Sequence, residues 1–171
     1  MPPRYAPGMT ASVPSPQWLD DDEMRFWRAW IISSTLMDAR LNRDLQEAHN
    51  LSHTDYGVLV VLSEQPERRM RMSTLADVLA LSKSRLSHQV SRLEKAGLVM
   101  RHDDTSDGRG IFACLTDAGF ALLQKAAPVH VSGVRRYMVD LLSPEEREQA
   151  ATFMERVIEE LRADGPGDPG R

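Results

Sequence analysis

Between Lys83 and Leu93 the chain carries Lys83, Ser84, Arg85, Ser87, His88, Ser91 and Arg92, all hydrogen-bond donors, and no acidic residue. Arg85, His88 and Arg92 recur at i, i+3 and i+7, so a helix would gather them on one side. Arginine and lysine can donate to guanine N7 and O6, and serine or histidine to phosphate or base edges. The alternative is an ordinary solvated helix face, which would normally mix both signs of charge. From Arg68 to Leu93 six cations stand against Asp77 alone, a net of +5, which leaves −9 for the rest of a −4 chain. A basic segment on an acidic body suits a surface that meets a polyanion.

Catalytic chemistry finds little support. His49, His53, His88, His102 and His130 are scattered. His49 and His53 are i, i+4, but Asn50-Leu51-Ser52 interrupts the helix between them, so no metal site is read there. No phosphate loop, serine elbow or catalytic cysteine signature is present. The reading is therefore of a protein that is not an enzyme and needs no cofactor or metal. Cys114 is alone and cannot form an internal disulfide; a small apolar strand residue suits it better than a thiol switch. The longest apolar run, Tyr56 to Leu62, is far short of the ~20 residues a bilayer requires. The proline-rich start lacks the apolar stretch of a secretory leader, so residence in the cytoplasm, at the nucleoid when bound to DNA, is the expectation.

The elements that must position the donors are mostly helical. Residues 1–17 read as a disordered arm and 163–171 as a disordered tail. A first helix runs from the acidic cluster Asp20–Glu23 to about Ala48, within a segment 18–50, and is apolar on two sides. Ser52 caps a second helix with Asp55 three residues on, and Pro66 ends that segment. Ser73 is expected to cap a short third helix, and Ala76 and Ala80 to be small where helices cross. Ser82 caps the fourth, Leu86, Val90 and Leu93 face inward, and Gly97 stops it. Leu98–His102 and Ile111–Leu115 read as strands flanking a hairpin tip. Thr116 caps a fifth helix, which Pro128 is expected to kink or break. Ser143-Pro144-Glu145-Glu146 opens a sixth, ending near Arg162. The fold class is mainly α with a small β-hairpin wing: a winged helix-turn-helix over 51–116, with 117–162 returning as helices.

Here the sequence resembles a known family. Asp107-Gly108-Arg109-Gly110, followed after four residues by Leu115-Thr116, is similar to the wing signature of the MarR family of bacterial transcriptional regulators. Leu75-Ala76, Leu81-Ser82, Arg92-Leu93-Glu94, Gly97-Leu98-Val99 and Leu115-Thr116-Asp117-Ala118-Gly119 match its pattern in order, and agreement runs from about Trp27 to Leu161. The resemblance implies a homodimer with intertwined N- and C-terminal helices that binds a palindromic operator in double-stranded DNA, most often as a repressor. It also implies that Arg109 enters the minor groove, oriented by Asp107, a role that a narrow groove's negative potential would favour. Lys83, Ser84, Arg85, Ser87, His88 and Arg92 become the major-groove set. Many family members bind phenolic or other aromatic effectors, which makes Trp27, Trp30 and Tyr56 candidate pocket walls and Arg40 or His53 a polar anchor. Plain packing at a dimer interface accounts for the same aromatic residues. Two other functions fit the fold: a winged-helix protein-interaction module without DNA binding, and a DNA binder with no effector.

Overall fold

The computed structural model describes residues 16–103 and 110–163. Its elements, in chain order, are α1 (Asp21–His49), α2 (His53–Ser63), β1 (Arg69–Arg71), α3 (Met72–Val78), α4 (Lys83–Lys95), β2 (Val99–Asp103), β3 (Ile111–Leu115), α5 (Asp117–Tyr137) and α6 (Pro144–Ala163). Internal packing divides the chain into an N-terminal unit that ends at Thr35, within α1, and a larger unit from Leu36 onward. In the first unit, Asp20 caps α1: its carboxylate accepts the amides of Asp22 and Glu23, both at 2.9 Å. Trp27 and Ile32 of this unit are 49% and 57% exposed, so it buries little of its own apolar surface.

The larger unit holds the core. Leu45, Val58, Leu59, Leu62, Leu75, Leu86 and Val90 have no exposed surface at all, and Leu93 and Val99 are nearly as deep. Burying each such side chain stabilises the fold by roughly 1.5–3 kcal/mol relative to leaving it in water. The inward stripe of α4 is thus the one expected from its spacing. Most helix starts also follow their sequence signals. The Ser52 hydroxyl accepts the Asp55 amide at 3.1 Å, Ser82 that of Arg85 at 3.3 Å and Thr116 that of Gly119 at 3.0 Å. Ser143 and Glu146 exchange the two bonds of a capping box at α6.

Gly97 closes α4 at φ 73°. Its amide donates to Glu94 O and that of Leu98 to Leu93 O, both at 2.9 Å, the paired bonds of a Schellman ending. Gly119 answers a different constraint. A Cβ there would sit 2.1 Å from the Leu98 carbonyl oxygen, so only glycine lets the first turn of α5 lie against that backbone.

Four local expectations are corrected. α3 begins at Met72, not at a Ser73 cap; its N-cap residue is Arg71, which makes no side-chain capping bond. The cause is an unforeseen strand: β1 pairs antiparallel with β3, Arg71 opposite Phe112, and delivers the chain straight into the helix. The sheet therefore has three strands in the order β1-β3-β2 rather than a lone hairpin. Ala80 is not a crossing residue but the left-handed residue that ends α3, exposed and at φ 50°. Finally, α5 passes Pro128 as one continuous helix of 21 residues, so the break does not occur.

Candidate nucleic-acid interface

The turn from α3 to α4 spans Leu79 to Ser82 and presents the first turn of α4 outward. Lys83, Ser84, Arg85, Ser87 and His88 are all exposed, while Leu86, between them in sequence, is wholly buried. Lys83 and Arg85 make no ion pair among the described residues. Their charges are open to an external anion.

The other cations of the basic segment are engaged within the protein. Arg68 lies 3.3 Å from Asp117 and 3.7 Å above the Phe120 ring. Arg69 pairs with Glu67 at 2.7 Å and stands 5.3 Å from the Phe112 ring, with Arg71 at 5.8 Å from the same ring. These contacts brace β1 against β3 and α5. Arg92, placed by its spacing with the DNA-facing set, donates through a terminal nitrogen to Asp55 Oδ1 at 2.6 Å. The Asp55 side chain is 9% exposed and that of Arg92 62%, so the carboxylate is sunk in α2 and reaches out to hold α4.

Arg101 of β2 clamps α4 from the other side. Its guanidinium donates to Ser87 O at 2.8 Å, Ser91 Oγ at 3.2 Å and Glu94 Oε2 at 3.3 Å. Glu94 also accepts the Arg101 amide, at 3.2 Å. Neither Asp55 nor Arg101 stood out in the sequence. Asp55 carried only a helix-start signal, and Arg101 read as one residue of a short strand. Together they hold the donor-bearing helix at both flanks, and such bonds to charged groups are among the stronger ones. Asp107 and Arg109, the wing pair, lie outside the described residues.

The effector candidates divide. Trp27 and Trp30 belong to the N-terminal unit, where both are exposed. Arg40 is exposed on α1. Tyr56 and His53 do come together, around a residue that was not a candidate: the Tyr56 and His130 rings stack at 4.4 Å between centroids, and His53 and His130 at 5.3 Å. Burial pushes the Tyr56 hydroxyl above its usual range and, with His53 beside it, holds His130 below the usual histidine range. Cys114 sits partly buried on β3, and desolvation raises its thiol more than nearby Arg69 lowers it.

A helix-turn-helix whose second helix is buttressed by a three-stranded sheet defines a winged-helix protein. The model of the MarR family matches residues 49–110. The regulator PecS of Dickeya dadantii is 30% identical over 132 residues, covering 75% of this chain and 76% of its own. MhqR of Bacillus subtilis is 28% identical over 109 residues, covering 64% and 73%. Among solved structures, Sco3205 of Streptomyces coelicolor, a MarR family regulator in complex with DNA, is 44% identical and superposes with a TM-score of 0.83 over 91% of this chain and 96% of its own. AbsC, from the same organism, is also 44% identical, with a TM-score of 0.82 over 86% and 99%. The chain belongs to the MarR family. It is a transcriptional regulator, and the family's members are regulators rather than enzymes.

Proposed function

We propose that the protein is a homodimeric repressor that binds a palindromic operator in double-stranded DNA, in the cytoplasm. The observation that carries this reading is the acid-free, outward first turn of α4, where Lys83 and Arg85 have no partner within the described residues while the surrounding arginines do. Cations left unpaired beside three exposed hydrogen-bond donors, Ser84, Ser87 and His88, suit a polyanion with readable base edges. The exposed residues of that turn, Lys83, Ser84, Arg85, Ser87 and His88, include no aromatic or aliphatic anchor of the kind a protein partner would need. Sco3205, bound to DNA in its crystal, supports the assignment at 44% identity.

Domain roles follow: 18–50 and 117–162 dimerise, and 51–116 reads DNA, with Arg109 oriented by Asp107 in the minor groove. Pairing about a twofold axis would set the two α4 helices roughly 34 Å apart, one turn of duplex. A small aromatic acid that bound one dimer arrangement more tightly would shift that spacing and release the operator. The test is a gel shift on DNA flanking the coding region, at two salt concentrations and with a panel of aromatic acids. Selective binding that weakens steeply with salt supports the regulator. Equal affinity for every duplex sinks the operator, and affinity unmoved by every acid sinks the effector.

A further inference from the structure

His53 and His130 stand 77 residues apart in the chain, yet their Nε2 atoms are 3.3 Å from one another. Behind them, His53 Nδ1 lies 2.7 Å from Asp38 Oδ1. An ionised carboxylate can only accept, so Nδ1 carries the proton and the neutral ring offers its Nε2 lone pair towards His130. Both rings are held in place. Asn42 accepts the His53 amide at 3.0 Å, and the Tyr56 ring stacks on His130 at an interplanar angle of 25°.

We propose that His53 and His130 are the two protein ligands of an exchangeable zinc-type divalent cation, each through Nε2, with Asp38 orienting His53 from behind. Two imidazole nitrogens bound to one tetrahedral ion at zinc–nitrogen distance lie ~3.3–3.4 Å apart. The observed 3.3 Å matches that separation and is long for a hydrogen bond to a ring N–H, which prefers about 2.9–3.0 Å. A carboxylate on the far nitrogen of a ligating histidine is the usual outer partner of such a metal: it fixes the tautomer and raises the ligand's basicity. Borderline ions of this class favour imidazole nitrogen.

Among the described residues no three His, Cys, Asp or Glu side chains converge as a closed metal cage requires. The ion therefore completes its shell with water. The His53 side chain is 26% exposed, which leaves a route for solvent and metal to enter. Occupancy would tie α2 to α5, with α1 attached through Asp38.

The test uses the full chain, stripped with a chelator and titrated with zinc against a chromophoric competitor. Cobalt provides an absorption spectrum that reports nitrogen ligation. DNA is absent throughout, so failure of the operator reading leaves the result intact. One ion per chain is expected. His53→Gln and His130→Gln should each weaken binding at least about tenfold, and Asp38→Asn about 10–100-fold. His49→Gln, outside the cluster, should bind as the wild type does. Zinc should also raise the wild-type melting midpoint and leave those of the two ligand variants in place. Circular dichroism checks each variant's fold; should His130→Gln unfold, His53→Gln alone decides. No saturable binding, or full-strength binding in a folded His53→Gln protein, overturns the site.

Discussion

Arg85 and Arg92 share a helix and a charge but not a circumstance. Arg85 has no partner among the described residues, whereas Arg92 is held by Asp55 at 2.6 Å. Arg85→Ala should cost about 1–3 kcal/mol of operator affinity and relax base preference in each half-site, as binding to a panel of single-base operator variants will measure. Asp55→Asn separates the two remaining possibilities for Arg92. If the pair positions α4, the variant loses selectivity while the slope of log affinity against log salt stays fixed. If Arg92 instead contacts phosphate, freeing it should leave selectivity intact, and Arg92→Met should then lower that slope by about one contact. The stability cost of Asp55→Asn should be ~1–2 kcal/mol by urea melts, below that of a fully buried pair because water surrounds Arg92. Cys114 has its thiol raised by burial, so it stays protonated through neutral pH. Its alkylation by iodoacetamide should be slower than that of free cysteine at pH 7.5, and become comparable only on unfolding.

At the scale of elements, two short connections set the geometry of the winged unit. Ala80 ends α3 at φ 50°, a conformation that costs a residue with a Cβ. Ala80→Gly should therefore stabilise the protein by up to ~1 kcal/mol in urea, the reverse of the usual glycine penalty. Gly119→Ala should do the opposite, lowering the melting midpoint sharply, because its Cβ meets the rigid Leu98 carbonyl rather than a flexible side chain. Five of the six helices were legible because each begins with a capping or acidic signal within four residues of its first turn. The signal at Ser73 misled. A three-residue strand, Arg-Met-Arg, is too short to show a period, and it is a strand only because β3 lies alongside, Met70 opposite Ala113. Pro128 signalled a kink or a break, and of the two the break does not occur, since α5 continues past it.

For the molecule as a whole, the unsatisfied apolar surface is the dominant fact. Leu36 is 60% exposed on α1, and Ile158 and Leu161 are 44% and 70% exposed on α6. Exposure on this scale in helices outside the winged unit is what an obligate partner would cover. Sedimentation should therefore return a dimer at micromolar concentration, with a melting midpoint that rises with protein concentration. Leu161→Glu should shift the population to monomer and weaken operator binding, while the winged unit keeps its helical signal. A monomeric wild type would contradict the dimer directly. The acidic body surrounding the cationic α4 turn should also make non-specific binding weak, so operator preference should be visible at modest salt.

What the chain of residues determined alone was short-range: five of the six helix starts, the inward stripe of Leu86, Val90 and Leu93, the strand Ile111–Leu115 and the donor-rich face of α4. A cap or a period acts over three to seven residues, so it is written in neighbouring letters. Which cations would remain open was decided only by the fold. Asp55 and Arg92 are 37 residues apart, Arg68 and Asp117 are 49, and His53 and His130 are 77. A charge or a lone pair acts over a few ångströms and takes whatever partner the packing brings there. The spacing of Arg92 put it on the donor-rich face of α4, but that Asp55 meets it there is a fact of the packing alone.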